Sequence, residues 1–544
     1  MVPSKVILTH WGALESKYGA GALRVRRAVE DLVAADARRG IVTAVVGIDR
    51  AGDLAPFGAL AVADPRDEEG AKRAVDAIDE SARPHYYLIL GGPDIVPMPE
   101  LENPTGIVSR AAGSGDSDMT VPSDMPYACD APFSRDPADF LYPSRVVGRL
   151  PDLLWAKRPT FLVELLRHAA AARPLPRSAY RDWFGLSAAS WKTSSRLTAR
   201  QVFGSASRLV LCPPREDRWS RADLSPRVHF INCHGGNMDD VFNGEHPDDG
   251  SELAGAQPVA LSARSLRGRV TPGTVVAAEC CYGAQLFDSS NVTNPTAQRD
   301  SLQAQWPGRG TRGIALEYLA QGARGFFGST TVAYGPPDDN MHADVICRVF
   351  LEKLLGGSSL GRAALEARIA YARSVKWPSP VMWKTLAQFH LLGDPSVHPV
   401  AGGEPERHRA VSAAEAHRQE LGRRRRRRER DRRATQALAA ARQVFQEDEA
   451  PPRRLEEFFE TARRMGVEGK FVRALTLVAG LRKVQQGDPS LAAARQANQV
   501  IMVSAAYQDE LKRLRGRTPF PRVKLFLAHY RGGTVAFTES LVSR

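Results

Sequence analysis

No apolar run in this 544-residue sequence approaches the ~18 residues that would span a bilayer, and the opening stretch MVPSKVILTHWG lacks a charged-then-apolar leader. Cysteine is scarce as well. Six of them, Cys129, Cys212, Cys233, Cys280, Cys281 and Cys347, do not make a secreted disulfide framework in so long a chain. No internal repeat runs through the sequence either. These absences argue against a membrane protein and a disulfide scaffold, and the expectation is a cytoplasmic protein whose thiols stay reduced and available as nucleophiles.

What is present is ordinary globular composition, 43% hydrophobic and 25% charged, in a chain long enough for several cores of ~100–200 residues. The net charge of +13 is unevenly placed. Residues 401–544 hold 30 Lys and Arg against 17 Asp and Glu, so the whole excess lies there and the first 400 residues are neutral. Two parts with different partners are expected, divided at a Gly/Pro-rich exit near 398–410.

The first part alternates short apolar runs with helical stretches, which predicts an α/β fold: a mostly parallel sheet covered on both faces. Candidate strands are 6–10, 41–48, 85–90, 144–148, 207–212, 227–233, 273–280 and 324–329. Candidate helices are 22–38, 68–82, 153–172, 340–355 and 360–372. Segments 92–143 and 240–257, rich in Gly, Pro, Asp and Ser, read as loops. The second part has helical composition over about 405–515, then two strand-like runs, 522–530 and 534–542, that form a hairpin.

Two strands end in residues that can carry chemistry. VHFINCHGG puts His234 and two glycines at one strand end, and TVVAAECCYGAQ puts Cys281 and Gly283 at another. In a doubly wound sheet, sites gather at the carboxyl ends of strands. An imidazole is the usual base for turning a thiol into a thiolate, and a glycine beside it lets the backbone present an N–H to a developing oxyanion.

At these residues the sequence resembles the caspase-type fold group of caspases, metacaspases, legumains, clostripain and gingipains. Caspases carry Gln-Ala-Cys-x-Gly, and Glu279-Cys280-Cys281-Tyr282-Gly283 occupies those places. The resemblance therefore selects Cys281 over Cys280 as nucleophile, with His234 as its partner and the N–H groups of Gly235 and Cys281 as the oxyanion hole. It is most similar to gingipain-type peptidases, through YYLILGGPDIVPMPE, VPSDMPYACD with YPSRVVGRLP, GARGFFGSTTVAYG and LAQFHLLGDPSVHP, which cover residues 5–400 in order. A cysteine endopeptidase domain of three-layer α/β/α architecture over 1–400, acting on protein substrates without a cofactor or metal, is what the resemblance implies. Regulated, limited proteolysis, including in prokaryotic defence or cell death, is the wider analogy.

The resemblance also implies substrate-binding positions at Glu279, Trp191, Ser329 and Tyr334. Glu279 lies two residues before Cys281, where metacaspases and legumains have an acid facing the pocket for the side chain before the cleaved bond. It favours Arg or Lys there, unless Lys192 or Arg196 neutralises it. The loop where gingipains place their arginine-binding aspartate corresponds to Trp191–Arg196 and has no acid, so arginine specificity is not inherited.

Rival readings remain at this stage. Cys233, His234, Cys280 and Cys281 are zinc-type ligands, although neighbours along a strand point to opposite faces and do not converge. Residues 423–433, RRRRRRERDRR, hold nine arginines, a phosphate-binding composition that makes nucleic acid a candidate partner of 401–544. The bland reading is a solvated charged helix or a linker, and self-cleavage there is a third. The alternative for the whole chain is a catalytically silent peptidase fold acting as a scaffold or nucleic-acid-binding protein.

Overall fold

The computed structural model describes residues 2–105, 116, 118–141, 143–154, 156–246, 253, 255–286, 312–374 and 380–402, and the backbone of 499–507, 522–531 and 534–543. By its contacts the chain forms two compact units. One comprises Met1–Pro104, Asp118–Gly403 and Ser543–Arg544, the other Thr105–Ser117 and Glu404–Val542. Among the described residues no helix is long and apolar enough to cross a membrane.

The first unit is built on ten strands: β1 (Lys5–Thr9), β2 (Thr43–Gly47), β3 (Tyr86–Leu90), β4 (Val147–Leu150), β5 (Trp183–Ala188), β6 (Leu209–Cys212), β7 (Val228–Asn232), β8 (Val275–Ala278), β9 (Gly325–Ser329) and β10 (Phe389–Gly393). Their order across the sheet is β2-β1-β3-β4-β10-β9-β8-β7-β5-β6. The pairings within β2-β1-β3-β4 and within β9-β8-β7-β5-β6 are parallel, and β10 runs antiparallel to β9, which makes the seam of the sheet. Most strands are buried along their full length, as in KVILT, YYLIL and VHFIN, so they read as continuous apolar runs rather than alternating ones.

Helices cover the sheet. Ala22–Arg38 buries Ala22, Val25, Val29 and Leu32, an i, i+3, i+4 stripe. Ala343–Leu355 and Leu360–Ser374 pack as a pair. The α/β expectation holds, and all eight candidate strands are present within a few residues. Two were not expected as strands, WFGLSA at β5 and FHLLG at β10. The candidate helix at 153–172 begins only at Thr160. Pro159 stands directly before its first residue. Segment 240–257 is not wholly loop: Val241–Asn243 is a strand, antiparallel to His234–Gly235 and to Val259–Ser262. So short a strand has no period of its own and exists only through those partners.

In the second unit Arg522–Arg531 pairs antiparallel with Thr534–Ser543, the expected hairpin, and on its other side with Gln499–Tyr507. The last segment falls inside the stretch expected to be helical. Its Val500, Ile501 and Val503 are β-branched and suit the strand it forms. The remaining helical expectation over 405–515, the linker beyond 402 and the arginine run 423–433 lie outside the described residues.

One buried ionic cluster ties the ends of the first unit together. Lys5 on β1 has no exposed surface, and its Nζ donates to Asp36 at 2.9 Å, Asp394 at 2.5 Å and Ser396 at 3.1 Å. Asp394 follows β10, nearly four hundred residues from Lys5. Removing the cation alone leaves two carboxylates in a dry site, a loss of ~3–5 kcal/mol for a broken buried pair. Lys5→Met should therefore lower the unfolding midpoint sharply in urea or heat. A loss below ~1 kcal/mol would show that the cluster is not a structural tie.

Candidate active site

The main chain leaves the sheet after β7. Asn232 is the last β7 residue, Cys233 follows, and His234–Gly235 enters the small antiparallel sheet beside Phe242 and Asn243. That change of sheet carries the imidazole to the carboxyl edge of β7. On the neighbouring β8, Glu279 still continues the ladder, its N–H donating to Ile231 at 2.8 Å, and Cys281 turns away at the same edge.

Gly235 and Cys281 are in backbone contact. A Cβ built on Gly235 would lie 1.8 Å from the Cys281 carbonyl oxygen. No side chain fits there, so the glycine expected for an oxyanion hole is also a steric requirement of the site. The turn after Cys281 is closed by N–H bonds from Tyr282 to the Thr331 carbonyl at 3.0 Å and from Ala284 to the Ser329 carbonyl at 2.8 Å. Tyr282 adopts a φ of 53°, rare for a non-glycine residue. Cys281 Sγ receives the Ala333 N–H at 3.2 Å and lies 3.6 Å from the Ala333 carbonyl oxygen. An N–H aimed at sulfur favours the thiolate.

His234 is held on two sides. Its Nε2 is 2.9 Å from Glu245 Oε2, and its ring lies 4.4 Å from the indole of Trp191. Glu245 is itself buried, positioned by its N–H to the Cys212 carbonyl at 3.0 Å and by Ser190 Oγ at 2.6 Å. Sequence reasoning missed Glu245. It lies in the Gly/Asp/Pro-rich stretch after the histidine, and the only signal for it was an acid within reach of a strand-end imidazole.

The residues implied as substrate-binding are all buried, with at most 1% of their surface exposed. Trp191 is buried against His234. Ser329 Oγ donates to the Thr331 carbonyl at 2.8 Å and accepts its N–H at 3.2 Å, bracing the turn. Tyr334 lies under the Lys384 ammonium, 5.5 Å from its ring centre. Glu279 is fully buried, whereas Lys192 and Arg196 are exposed on helix Lys192–Phe203. The cysteines separate by environment. Burial pushes the Cys129 and Cys212 thiols up to about 12 and Cys233 well above its ordinary range. Cys280 is wholly buried, with Sγ directed at the Ile231 carbonyl, away from the Ala333 side that Cys281 faces. The two adjacent thiols do not converge on one point, which is the arrangement a zinc site would need.

A thiol and a braced imidazole thus stand at adjacent strand ends of a largely parallel α/β sheet, a fold consistent with caspase-like peptidases. Residues 260–400 match the model of peptidase family C25, which indicates a cysteine-type peptidase. Of solved structures, one described as "Structure of Protease" aligns at 12% identity with a TM-score of 0.40, covering 73% of this chain and 78% of that one. No curated protein matches the chain.

Glu245 holds the ring of His234 and favours its protonated form. Glu245→Gln should lower kcat/KM by ~10–100-fold, within the share general acid–base groups contribute. It should also move the alkaline limb of the pH–rate profile to lower pH, because the imidazolium loses its carboxylate. An unchanged limb would assign Glu245 a purely structural part.

Proposed function

We propose that this chain is a cysteine endopeptidase that cuts protein substrates through His234 and Cys281. The observation that carries this reading is the contact of Gly235 with the Cys281 backbone, because it brings the histidine-bearing strand end against the nucleophile turn. Cys281 thiolate attacks the scissile carbonyl carbon, and the carbonyl oxygen becomes an oxyanion facing the N–H groups of Gly235 and Cys281. The His234 imidazolium gives its proton to the departing amine nitrogen, leaving a thioester on Cys281. A water molecule, deprotonated by His234, then attacks the thioester, releases the carboxyl product and restores the Cys281 thiolate beside a protonated His234. With Nε2 engaged by Glu245, these proton exchanges fall to Nδ1.

The peptidase domain is read as 1–400 and the remainder, 401–544, as a basic regulatory or recognition domain. Its arginine-rich composition supports a regulatory or nucleic-acid partner, and a triggered protease of the cytoplasm is the function proposed for the whole. Three substitutions test the chemistry. Cys281→Ala should abolish turnover, His234→Ala should reduce it by ~10³-fold or more, and Cys280→Ala should leave most of it. A dead Cys280→Ala beside an active Cys281→Ala would reassign the nucleophile.

Preference before the cut is tested by kcat/KM for matched peptides bearing Arg, Asn, Leu or Asp. A lining Glu279 carboxylate favours Arg by ~10–150-fold, the value of a charge-assisted bond, and Glu279→Gln then removes most of that preference. Faster cleavage after Leu or Asp than after Arg overturns it.

A further inference from the structure

Asp118 joins three elements that the reaction must keep in register. One carboxylate oxygen, Oδ1, accepts the Tyr282 hydroxyl at 2.7 Å. The other, Oδ2, accepts the Val332 N–H at 2.9 Å and the Lys384 ammonium at 3.3 Å. The Asp118 backbone is fixed separately, its carbonyl accepting Asn103 Nδ2 at 2.9 Å. Both charged side chains are buried, Lys384 completely and Asp118 with 5% of its side chain exposed.

The partners matter for where they sit in the chain. Tyr282 directly follows Cys281, and it carries the positive φ of 53° that turns the chain after the nucleophile. Val332 directly precedes Ala333, whose N–H faces Cys281 Sγ. A single carboxylate thus grips the residue after the sulfur and the residue before the sulfur's hydrogen-bond donor. Lys384 lies on helix Pro380–Gln388, and the next residues of the chain, in β10, join the sheet beside β9. Asp118 thus adds a side-chain tie between the two loops to the direct bond from the Tyr282 N–H to the Thr331 carbonyl at 3.0 Å.

We propose that Asp118 is a positioning residue for the nucleophile, holding the turn after Cys281 against the 331–333 loop so that the Ala333 N–H supports the thiolate. This rests on the reading of Cys281 as nucleophile. Asp118 does not touch the reacting atoms, and its effect is on the reactivity of the thiol.

Asp118→Asn alone leaves the buried Lys384 ammonium without its carboxylate, so loss of folding would be ambiguous. The full chain carrying both Asp118→Asn and Lys384→Met removes the two charges together and separates positioning from neutralisation. Tyr282→Phe, at a half-buried position, removes one tie and no charge. For each folded variant, iodoacetamide labelling of the Cys281 peptide is followed by mass spectrometry across pH, together with kcat and KM on one peptide substrate.

The double variant should show a kcat lower by about tenfold or more with KM little changed, and the midpoint of Cys281 alkylation should move to higher pH. Tyr282→Phe should shift both in the same direction by less. Wild-type kcat and alkylation midpoint in the double variant would overturn the proposal, since Asp118 would then serve only to neutralise Lys384. A Tyr282→Phe profile identical to wild type would overturn it as well, and that variant decides if the double variant does not fold. Cys281→Ala, measured alongside, separates the two levels: retained turnover there rejects the nucleophile, whereas normal thiol reactivity in the Asp118 variants rejects only the positioning.

Discussion

The antiparallel pairing of β9 with β10 makes one sheet out of two. It needs backbone in close contact. A Cβ on Gly393 would lie 2.6 Å from the Arg324 carbonyl oxygen, and one on Gly148 would lie 2.6 Å from that of Gly393. Gly393 also has a φ of 149°, outside the ordinary range of residues with side chains. Because β10 runs against β9, its amino end lies at the edge where β7 and β8 end. Helix Pro380–Gln388 therefore delivers Lys384 and Gln388 to the side of the sheet that holds the dyad. The Gln388 carbonyl takes the Thr330 N–H at 3.0 Å, and its side chain takes the Thr331 hydroxyl at 2.7 Å. The turn behind Cys281 is thus braced by the residue that leads into β10.

Three of the stretches that resembled gingipains meet at one buried guanidinium. Asp124 accepts two bonds from Arg149, at 2.9 Å from Nε and 2.5 Å from Nη2. Arg149 also donates to the carbonyls of Gly91, Val96 and Pro97. One fully buried guanidinium thereby satisfies five acceptors, and a planar fork is suited to that task where an ammonium is not. The Ser-Asp, Gly-Arg and Gly-Asp-Pro-Ser stretches meet in this way at the seam or beside it, and Asp394 of the last of them takes Lys5.

Much of this was legible in the sequence because it depends on local composition. Apolar runs long enough to cross the core gave eight of the ten strands, and the abrupt change from apolar strand to His-Gly or Cys-Cys marked the edge where chemistry gathers. The rest depends on partners remote in the chain. FHLLG is five residues long and follows an apolar helix, so periodicity cannot separate the two. WFGLSA is six residues long. Glu245 and Asp118 sit in segments without period, and what distinguishes them from solvent-facing acids is burial among groups supplied from elsewhere. The helical expectation at 499–507 failed for a related reason: β-branched residues are few in the surrounding sequence, and strand pairing with 522–531 outweighs the helix propensity of its neighbours.

The outer strands of the ten-stranded sheet, β2 and β6, have five and four residues. An open edge is a template on which another chain can extend the ladder, and long, flat edges are where folded proteins begin to aggregate. Beyond Cys212, β6 runs directly into Pro213 and Pro214, neither of which has an N–H to offer an incoming strand. β2 ends at Gly47, where a Cβ would lie 2.5 Å from the Trp11 ring, and the chain then turns into a short helix at Ala51–Leu54. This wide sheet is closed off by brevity and by proline, so its ten strands leave a neighbouring chain only a few edge residues to grasp.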